Sequence, residues 1–233
     1  MSKLKSLISY FTIGELILWA SSVIFIVASY FIFKGQDVFS MLISLVGVTA
    51  LIFCAKGNPI GQALCIVFGL FYGYVSYSFS YYGEMITYVG MTVPMAVISL
   101  ITWLKNPFKG NSAEVKVNEI KLKEVFLLAL LASVVTLAFY FILRALNTAN
   151  LFFSTVSITT SFTAVYLTMR RSPFFAVAYA ANDIVLIVLW VMASVVDVSY
   201  VSIVVCFAVF FINDIYGFIN WIRMKKRQKK SLR

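Results

Sequence analysis

The last apolar stretch of the chain, VSYVSIVVCFAVFFINDIYGFINWI at residues 198–222, decides the fold class. The basic run RMKKRQKK follows it directly, at residues 223–230. A helix needs about 20 predominantly apolar residues to cross the hydrocarbon core of a bilayer, and Lys and Arg collect at the cytoplasmic ends of such helices. The two stretches together therefore predict a membrane-spanning helix whose C-terminal end faces the cytoplasm.

The composition extends this prediction to the rest of the chain. Of the 233 residues, 62% are hydrophobic and 12% are charged, whereas a soluble domain has about 45–50% and about 25%. The polar connection at 105–123 is too short and too polar to be a domain. The sequence therefore predicts an all-α membrane protein with eight transmembrane helices. We expect the spans at 12–33, 38–55, 60–80, 84–104, 124–143, 149–169, 174–195 and 198–222.

Positive charge is distributed unevenly between the two sides of the membrane that these spans define. Of the 19 Lys and Arg, all but Lys34 and Arg144 fall on the side that holds both termini. Because positive residues concentrate in cytoplasmic loops, both termini are predicted to be cytoplasmic. The net charge of +10 therefore reports topology and contact with anionic lipid, and it argues against a nucleic-acid partner.

An internal repeat organises the spans. Spans 2–4 contain Lys56-Gly57-Asn58-Pro59 and end at Trp103, whereas spans 6–8 contain Arg170-Arg171-Ser172-Pro173 and end at Trp221. From Pro to the closing Trp there are 44 residues in the first copy and 48 in the second. Since an even number of spans separates matching helices, the copies have the same orientation, and transporters bind substrate between such repeats near the bilayer midplane.

The predicted organisation is therefore two parallel three-helix bundles joined by a linker helix, behind an extra first helix. The expected segments are an N-terminal transmembrane helix at 1–37, repeat 1 at 38–104, a cytoplasmic loop and linker helix at 105–148, repeat 2 at 149–222 and a basic cytoplasmic tail at 223–233. The first apolar run is longer than that of a cleavable signal peptide, so we expect it to be retained.

Polar side chains within spans are the candidates for substrate contact, because an amide or ionisable group inside a bilayer is unfavourable and usually functional. Two carboxylates that face one cavity could hold a cation, helped by aromatic faces. The alternative, that these groups only join helices through hydrogen bonds, stays open. The candidates are Asn182, Asp183 and Trp190 on span 7, Asn213, Asp214, Tyr216 and Asn220 on span 8, and Gln62 and Tyr72 on span 3.

Other features carry weaker expectations. Span 6 is rich in Ser and Thr, which favours close helix packing first and a cavity lining second. Pro94 is expected to kink span 4. Glu15 and Glu84 lie near span ends, where solvated positions are the first interpretation.

Catalysis, metal binding and a cofactor are not predicted. The chain has no histidine, and its three cysteines have neither a CxxC pair nor ligand spacing. Motifs for nucleotide binding, serine hydrolases and zinc peptidases are missing, so neither an enzyme nor an ATP-driven pump is expected.

The C-terminal stretch Asn213-Asp214-Ile215-Tyr216-Gly217-Phe218-Ile219-Asn220-Trp221, with the basic residues after it, resembles the signature of the PnuC family of nicotinamide riboside transporters. Trp190 and the run Tyr81-Tyr82-Gly83-Glu84-Met85 are also similar to members of that family. The resemblance covers about residues 12–230. A departure lies in repeat 1, where the only Trp is Trp103 at the helix end.

The resemblance implies a fold related to the SWEET sugar transporters and facilitated diffusion of nicotinamide riboside, an NAD precursor, which phosphorylation then traps inside the cell. It implies a multi-pass protein of a bacterial cell membrane, whose partners are the substrate and the lipid bilayer, with a homo-oligomer left open. It also implies a site between the bundles that includes Trp190, Asn213, Tyr216 and Asn220, with Gln62. A carrier of thiamine or riboflavin on the same fold is the main alternative; a membrane-embedded enzyme or a non-transporting scaffold is the alternative of another class.

Overall fold

The computed structural model describes residues 10–35, 38–78, 82–148 and 150–232. These residues contain a short β-hairpin and eight long helices. Their bounds are α1 Ile13–Ile32, α2 Val38–Ala55, α3 Pro59–Ser78, α4 Tyr82–Leu104, α5 Leu122–Ala145, α6 Leu151–Met169, α7 Phe175–Ser194 and α8 Val201–Ser231. Seven of these helices are long and apolar enough to cross a membrane, and α3 has a shorter apolar part, Pro59–Tyr74. The prediction of an all-α membrane protein is therefore confirmed. Lys3, Lys5, Gln36, Asp37, Tyr81 and the predicted first residue of span 6, Ala149, lie outside the described residues.

Helix α4 is interrupted where the sequence predicts a kink. It consists of Tyr82–Thr87, a π-helical segment Tyr88–Thr92 and the α-helical part Val93–Leu104. Pro94 has no backbone N–H and its ring clashes with the carbonyl one turn earlier, so a regular α-helix cannot continue through it. The wider π turn just before Pro94 accommodates the misfit, and such turns are frequent at functional sites.

Six of the helices form a closed ring. The pairs in contact around it are α2–α3, α3–α4, α4–α6, α6–α7, α7–α8 and α8–α2. Outside the ring, α1 packs on α2 and α8, and α5 packs on α6. The space enclosed by the ring is therefore lined by residues from both halves of the chain.

Two equivalent loops begin the second helix of each half. Gly57 and Arg171 both have a left-handed backbone, with φ of 67° and 57°, and each lies two residues before a proline. In both loops the next N–H reaches back to close the helix end, from Asn58 to the Phe53 carbonyl and from Ser172 to the Leu167 carbonyl, each at 3.0 Å. The two loops therefore have the same geometry despite different sequences.

The polar connection after α4 is an ordered element rather than an open loop. Strands β1 (Pro107–Phe108) and β2 (Asn111–Val115) form an antiparallel hairpin. At the end of β2 the Val115 N–H donates to the Gly57 carbonyl at 2.9 Å, and beyond the hairpin the Asn118 N–H donates to the Arg171 carbonyl at 3.0 Å. This connection is thus bonded to both left-handed loops.

Helix α8 extends through the basic run to Ser231, whereas the sequence predicts the span to end near residue 222. Lys, Arg and Gln are good helix formers, and one face of the extension is buried against the hairpin. The Gln228 side chain donates to the Val115 carbonyl and accepts from the Val117 N–H, each at 2.9 Å. The basic tail is therefore partly a packed helix.

Candidate functional site

A central cavity lies inside the ring of six helices. Its volume is about 930 Å³ with its opening included. Its polar lining residues are Gln62, Tyr88, Thr92, Ser99, Ser161, Thr168, Tyr179, Asn182, Asp183 and Asp214. Its aromatic lining is completed by Phe68, Phe175, Phe207 and Phe210.

A pair of carboxyl groups dominates the electrostatics of this cavity. Asp183 on α7 and Asp214 on α8 are each 4% exposed, and the two side chains are neighbours in the cavity wall. Two neighbouring buried carboxyl groups oppose each other's ionisation, and a bound organic cation would favour the ionised form. No Lys or Arg forms an ion pair with either group in the described parts of the chain, and the Oδ2 atom of Asp183 has no hydrogen-bond partner there.

Two amide side chains complement the carboxyl pair. The Asn182 carbonyl oxygen accepts from the hydroxyls of Thr160 at 2.8 Å and Ser161 at 2.9 Å, and this holds the amide in one orientation. On the other half of the ring, the Gln62 NH₂ group donates to Cys54 Sγ at 3.2 Å. The Asn182 NH₂ group and the Gln62 carbonyl oxygen are therefore available to a ligand as donor and acceptor.

Aromatic faces come from residues that the sequence did not single out as binding residues. Tyr88 enters the cavity from the π segment of α4, so its position depends on a local register shift that hydropathy does not reveal. Tyr179 lies four residues before Asp183 on the same face of α7, and this spacing is a signal that could have identified it. Phe175 also lines the cavity, and its ring contacts the Trp221 ring edge-to-face with 4.9 Å between the ring centroids.

The Ser and Thr side chains of α6, which is the predicted span 6, contribute both to the cavity lining and to helix packing. Ser161 and Thr168 line the central cavity. Thr159 instead pairs with Thr136 of α5, with 2.8 Å between their hydroxyl oxygens, which is a helix-packing contact.

The structure gathers Gln62, Asn182, Asp183 and Asp214 in the central cavity. Trp190 and Tyr72 line a second cavity of about 590 Å³. The side chains of Phe68, Phe207 and Phe210 line both cavities and lie between them.

Asn213, Tyr216 and Asn220 share one face of α8, as their spacing predicts, but this face is outside the central cavity and packs on α1 and α2. Asp214 projects from the neighbouring face into the cavity. In this structure the three residues act as hydrogen-bonding contacts between helices, which is the alternative interpretation of their polarity. Asn213 donates to Ser22 Oγ at 3.0 Å, Tyr216 to Glu15 Oε1 at 2.8 Å and Asn220 to the Ala55 carbonyl at 2.9 Å.

Glu15 is buried rather than solvated, with 2% of its side chain exposed. The Lys56 ammonium donates to both of its carboxylate oxygens, at 3.1 and 3.0 Å, and lies 4.7 Å from the Tyr10 ring centre. A buried carboxylate needs such a partner, so the pair joins α1 to the end of α2. The expectation of a solvated Glu15 is therefore wrong.

No group of three or more Cys, Asp or Glu with metal-ligand geometry occurs among the described residues. The chemistry of the central cavity is instead that of a pocket for an organic ligand: a pair of buried carboxyl groups, oriented amides and aromatic walls.

Comparisons with known proteins agree with this description. The chain is 26% identical to the nicotinamide riboside transporter PnuC of Neisseria mucosa over 215 residues, which cover 90% of this chain and 81% of the relative. It is 22% identical to the nicotinamide riboside transporter PnuC of Haemophilus influenzae, covering 81% of this chain and 80% of the relative. A solved structure described as the crystal structure of the vitamin B3 transporter PnuC has the same fold, with a TM-score of 0.80, 22% identity and 94% of each chain covered.

The chain also matches a family profile over most of its length. Residues 37–223 match the family described as nicotinamide mononucleotide transporter. This range includes five of the six ring helices completely, α8 as far as Arg223, and all residues of the central cavity. The resemblance inferred from the C-terminal stretch is confirmed: the chain belongs to the nicotinamide mononucleotide transporter family.

Proposed function

We propose that this chain carries nicotinamide riboside across a bacterial cell membrane. The observation that carries the proposal is the buried carboxyl pair Asp183 and Asp214, which lines an otherwise largely apolar cavity and has no Lys or Arg partner among the described residues. The names of the two PnuC relatives support the same substrate.

The chemistry of nicotinamide riboside matches the groups available in the cavity. Its pyridinium ring carries one positive charge, and a unit charge about 4 Å from an opposite charge gains about 4 kcal/mol at an effective dielectric constant of about 20. Tyr88, Tyr179 and Phe175 can present aromatic faces to the ring. The carboxamide needs one acceptor and one donor, which Gln62 and Asn182 can supply.

The architecture proposed for this function is two parallel three-helix bundles with the site between them. Exchanging α2, α3 and α4 for α6, α7 and α8 maps the ring of contacts onto itself, because α8–α2 then becomes α4–α6. The matching loop geometry at Gly57 and Arg171 supports the same relation. In this proposal α5 is the linker helix, and α3, in contact with α2 and α4, is an eighth span.

The proposed orientation puts both termini and the hairpin in the cytoplasm, as the distribution of Lys and Arg favours. Aromatic side chains lie on both sides of the central cavity along the membrane normal. Trp103 and Trp221 are on the hairpin side, and Phe68 and Phe210 are on the opposite side. Alternating access would require the tryptophans to separate when the cavity opens on the hairpin side and the phenylalanines to separate when it opens on the opposite side. The sequence leaves the formation of a homo-oligomer open.

Transport is proposed to be facilitated diffusion, with phosphorylation in the cytoplasm trapping the substrate. The sequence contains no nucleotide-binding motif that could couple ATP hydrolysis to uptake. A carrier of this kind equilibrates its substrate and cannot concentrate it.

Uptake of labelled nicotinamide riboside into proteoliposomes tests the proposal. We expect saturable uptake that excess unlabelled nicotinamide riboside abolishes and that riboflavin, which is neutral, leaves unchanged. Chemical analysis of the lumen should recover unmodified nicotinamide riboside. Uptake of thiamine in place of nicotinamide riboside would assign the cavity to another cationic vitamin, and no uptake of either would refute the proposed substrate class.

A further inference from the structure

The second cavity contains a carboxylate that the central site does not use. Glu84, in the first turn of α4, lines this cavity together with Tyr72, Trp190 and Tyr200. It also lines a third cavity of about 410 Å³ between α4, α5, α6 and α7. Both cavities lie at the ends of the helices opposite the hairpin, which is the proposed extracellular side.

Glu84 is held in place but is not neutralised by a basic side chain. The Tyr72 hydroxyl donates to its Oε2 atom at 3.0 Å. Within the described residues, no Lys or Arg forms an ion pair with it. When Glu84 is ionised, its charge therefore acts on the cavity itself, where the low-dielectric walls screen it less than water would.

The walls around Glu84 are aromatic. The rings of Trp190 and Tyr200 lie 5.3 Å apart, and those of Tyr72 and Tyr88 lie 4.5 Å apart. Indole and phenol faces near a carboxylate form the arrangement that binds a flat organic cation. Phe68, Phe207 and Phe210 line both this cavity and the central one, so the two sites share one wall.

We propose that the second cavity is a separate binding site for the cationic ring, occupied before the substrate passes Phe68 and Phe210 into the central cavity. Glu84 supplies the charge that attracts the ring, and Trp190 with Tyr72 supplies the aromatic faces. The proposal rests on the proposed function, since it takes the substrate to be a pyridinium nucleoside. Positively charged substrates would therefore be selected at the extracellular side, before they reach the Asp183–Asp214 pair.

The test compares two substrates of nearly equal shape, nicotinamide riboside and its dihydro form, in which the reduced ring is neutral. Uptake of each into proteoliposomes is measured for the wild type, for Glu84→Gln and for Glu119→Gln. The Gln side chain keeps an acceptor for the Tyr72 hydroxyl while it removes the charge. Glu119 is 63% exposed on the hairpin side and is the matched control for charge removal.

We expect Glu84→Gln to raise the KM for nicotinamide riboside roughly three- to thirty-fold and to leave the KM for the dihydro form unchanged. Glu119→Gln should leave both values unchanged. An equal loss for both substrates would mean that Glu84 has only a structural role, and no change for either would mean that the second cavity is not a site; both results overturn the inference. If the wild type takes up neither substrate, the proposed function fails instead.

The second measurement uses the fluorescence of Trp190, because a pyridinium ring quenches indole emission on contact. Asp214→Asn weakens the central site, so titration of this variant with nicotinamide riboside should leave a weak quenching phase. That phase should disappear in Asp214→Asn combined with Trp190→Phe and should shift to higher concentration with Glu84→Gln. A phase that survives the Trp190 substitution would contradict the second site.

Discussion

The indole nitrogens of Trp103 and Trp221 make the same hydrogen bond in the two halves of the molecule. Trp103 donates to the Thr168 carbonyl at 2.9 Å, and Trp221 donates to the Cys54 carbonyl at 2.8 Å. Each acceptor lies five residues before the loop proline of the other half, and the two rings contact each other at 5.5 Å. The two tryptophans therefore bond the end of each half to the loop of the other, on the side of the cavity where the hairpin lies.

This reciprocal bond predicts matched effects on stability. Trp103→Phe and Trp221→Phe should each lower the free energy of unfolding by about 0.5–1.5 kcal/mol, because each removes one buried hydrogen bond while the Arg171 or Gly57 N–H still donates to the same carbonyl. Thermal unfolding in detergent measures the effect. Trp19→Phe is the control, since the Trp19 side chain is 37% exposed and its loss should shift the midpoint less. A large loss for only one of the two buried residues would contradict the equivalence.

Adjacent residues on α8 should have separable roles. Asp214→Asn changes the charge in the central cavity, and we expect it to weaken nicotinamide riboside binding by about 1–3 kcal/mol with little change in stability. Asn213→Ala removes the bond to Ser22 on α1, and we expect it to lower stability while the dissociation constant stays within about two-fold. Calorimetric titration combined with thermal unfolding distinguishes the two effects. The assignment of the α8 faces fails if Asn213→Ala is the variant that loses affinity.

That pair of residues also marks the limit of prediction from the sequence. Hydropathy and length gave the eight helices, and the spacing of Asn213, Tyr216 and Asn220 gave a real face of α8. The spacing could not show whether that face points into the cavity or towards neighbouring helices, because α8 is buried on two sides. One side packs on α1 and α2, and the other packs on α7. Choosing between two polar faces of a doubly buried helix requires knowledge of its neighbours.

Backbone irregularity set the other limit. Pro94 predicted a break in α4, but the sequence did not predict the π turn that brings Tyr88 into the central cavity. The hairpin after α4 and the buried Gln228 in the basic tail depend on contacts between segments far apart in sequence, such as Gln228 with Val115. Local patterns do not contain that information, whereas the repeat of loop and closing Trp was visible because it recurs along the chain.

The two cysteines of the central cavity offer a readout of ligand occupancy. Cys54 and Cys65 both line the cavity, and their Sγ atoms are 4.0 Å apart. In a Cys206→Ala background, saturating nicotinamide riboside should slow their alkylation by N-ethylmaleimide several-fold, since the ligand fills the space the reagent must enter. Mass spectrometry of the labelled peptides measures the rate. At the same ligand concentration, this protection should vanish when Asp214→Asn is added to the Cys206→Ala background. Equal labelling with and without ligand in the Cys206→Ala protein itself would exclude binding beside these thiols.

The charge distribution predicts the topology. Reporter fusions that are active only in the cytoplasm should give signal at both the N-terminus and the C-terminus. Replacing Arg170 and Arg171 should disturb this insertion more than replacing Lys34, because the first two belong to a proposed cytoplasmic loop. Loss of signal from the C-terminal fusion in a correctly inserted protein would contradict the proposed orientation of the eight helices.

The passage between the two cavities should be sensitive to one glycine. A Cβ atom added at Gly47 of α2 would lie 2.6 Å from the Phe210 ring and 3.0 Å from the Phe68 ring, which form part of the wall between the cavities. Gly47→Ala should therefore displace these rings and lower the maximal uptake rate several-fold, while equilibrium affinity in the central cavity changes by less than about three-fold. Gly14→Ala is the matched control, because nothing lies within 4 Å of the added atom there. Uptake kinetics and calorimetric titration of both variants separate rate from affinity. If Gly47→Ala transports at the wild-type rate, movement of Phe68 and Phe210 does not limit passage.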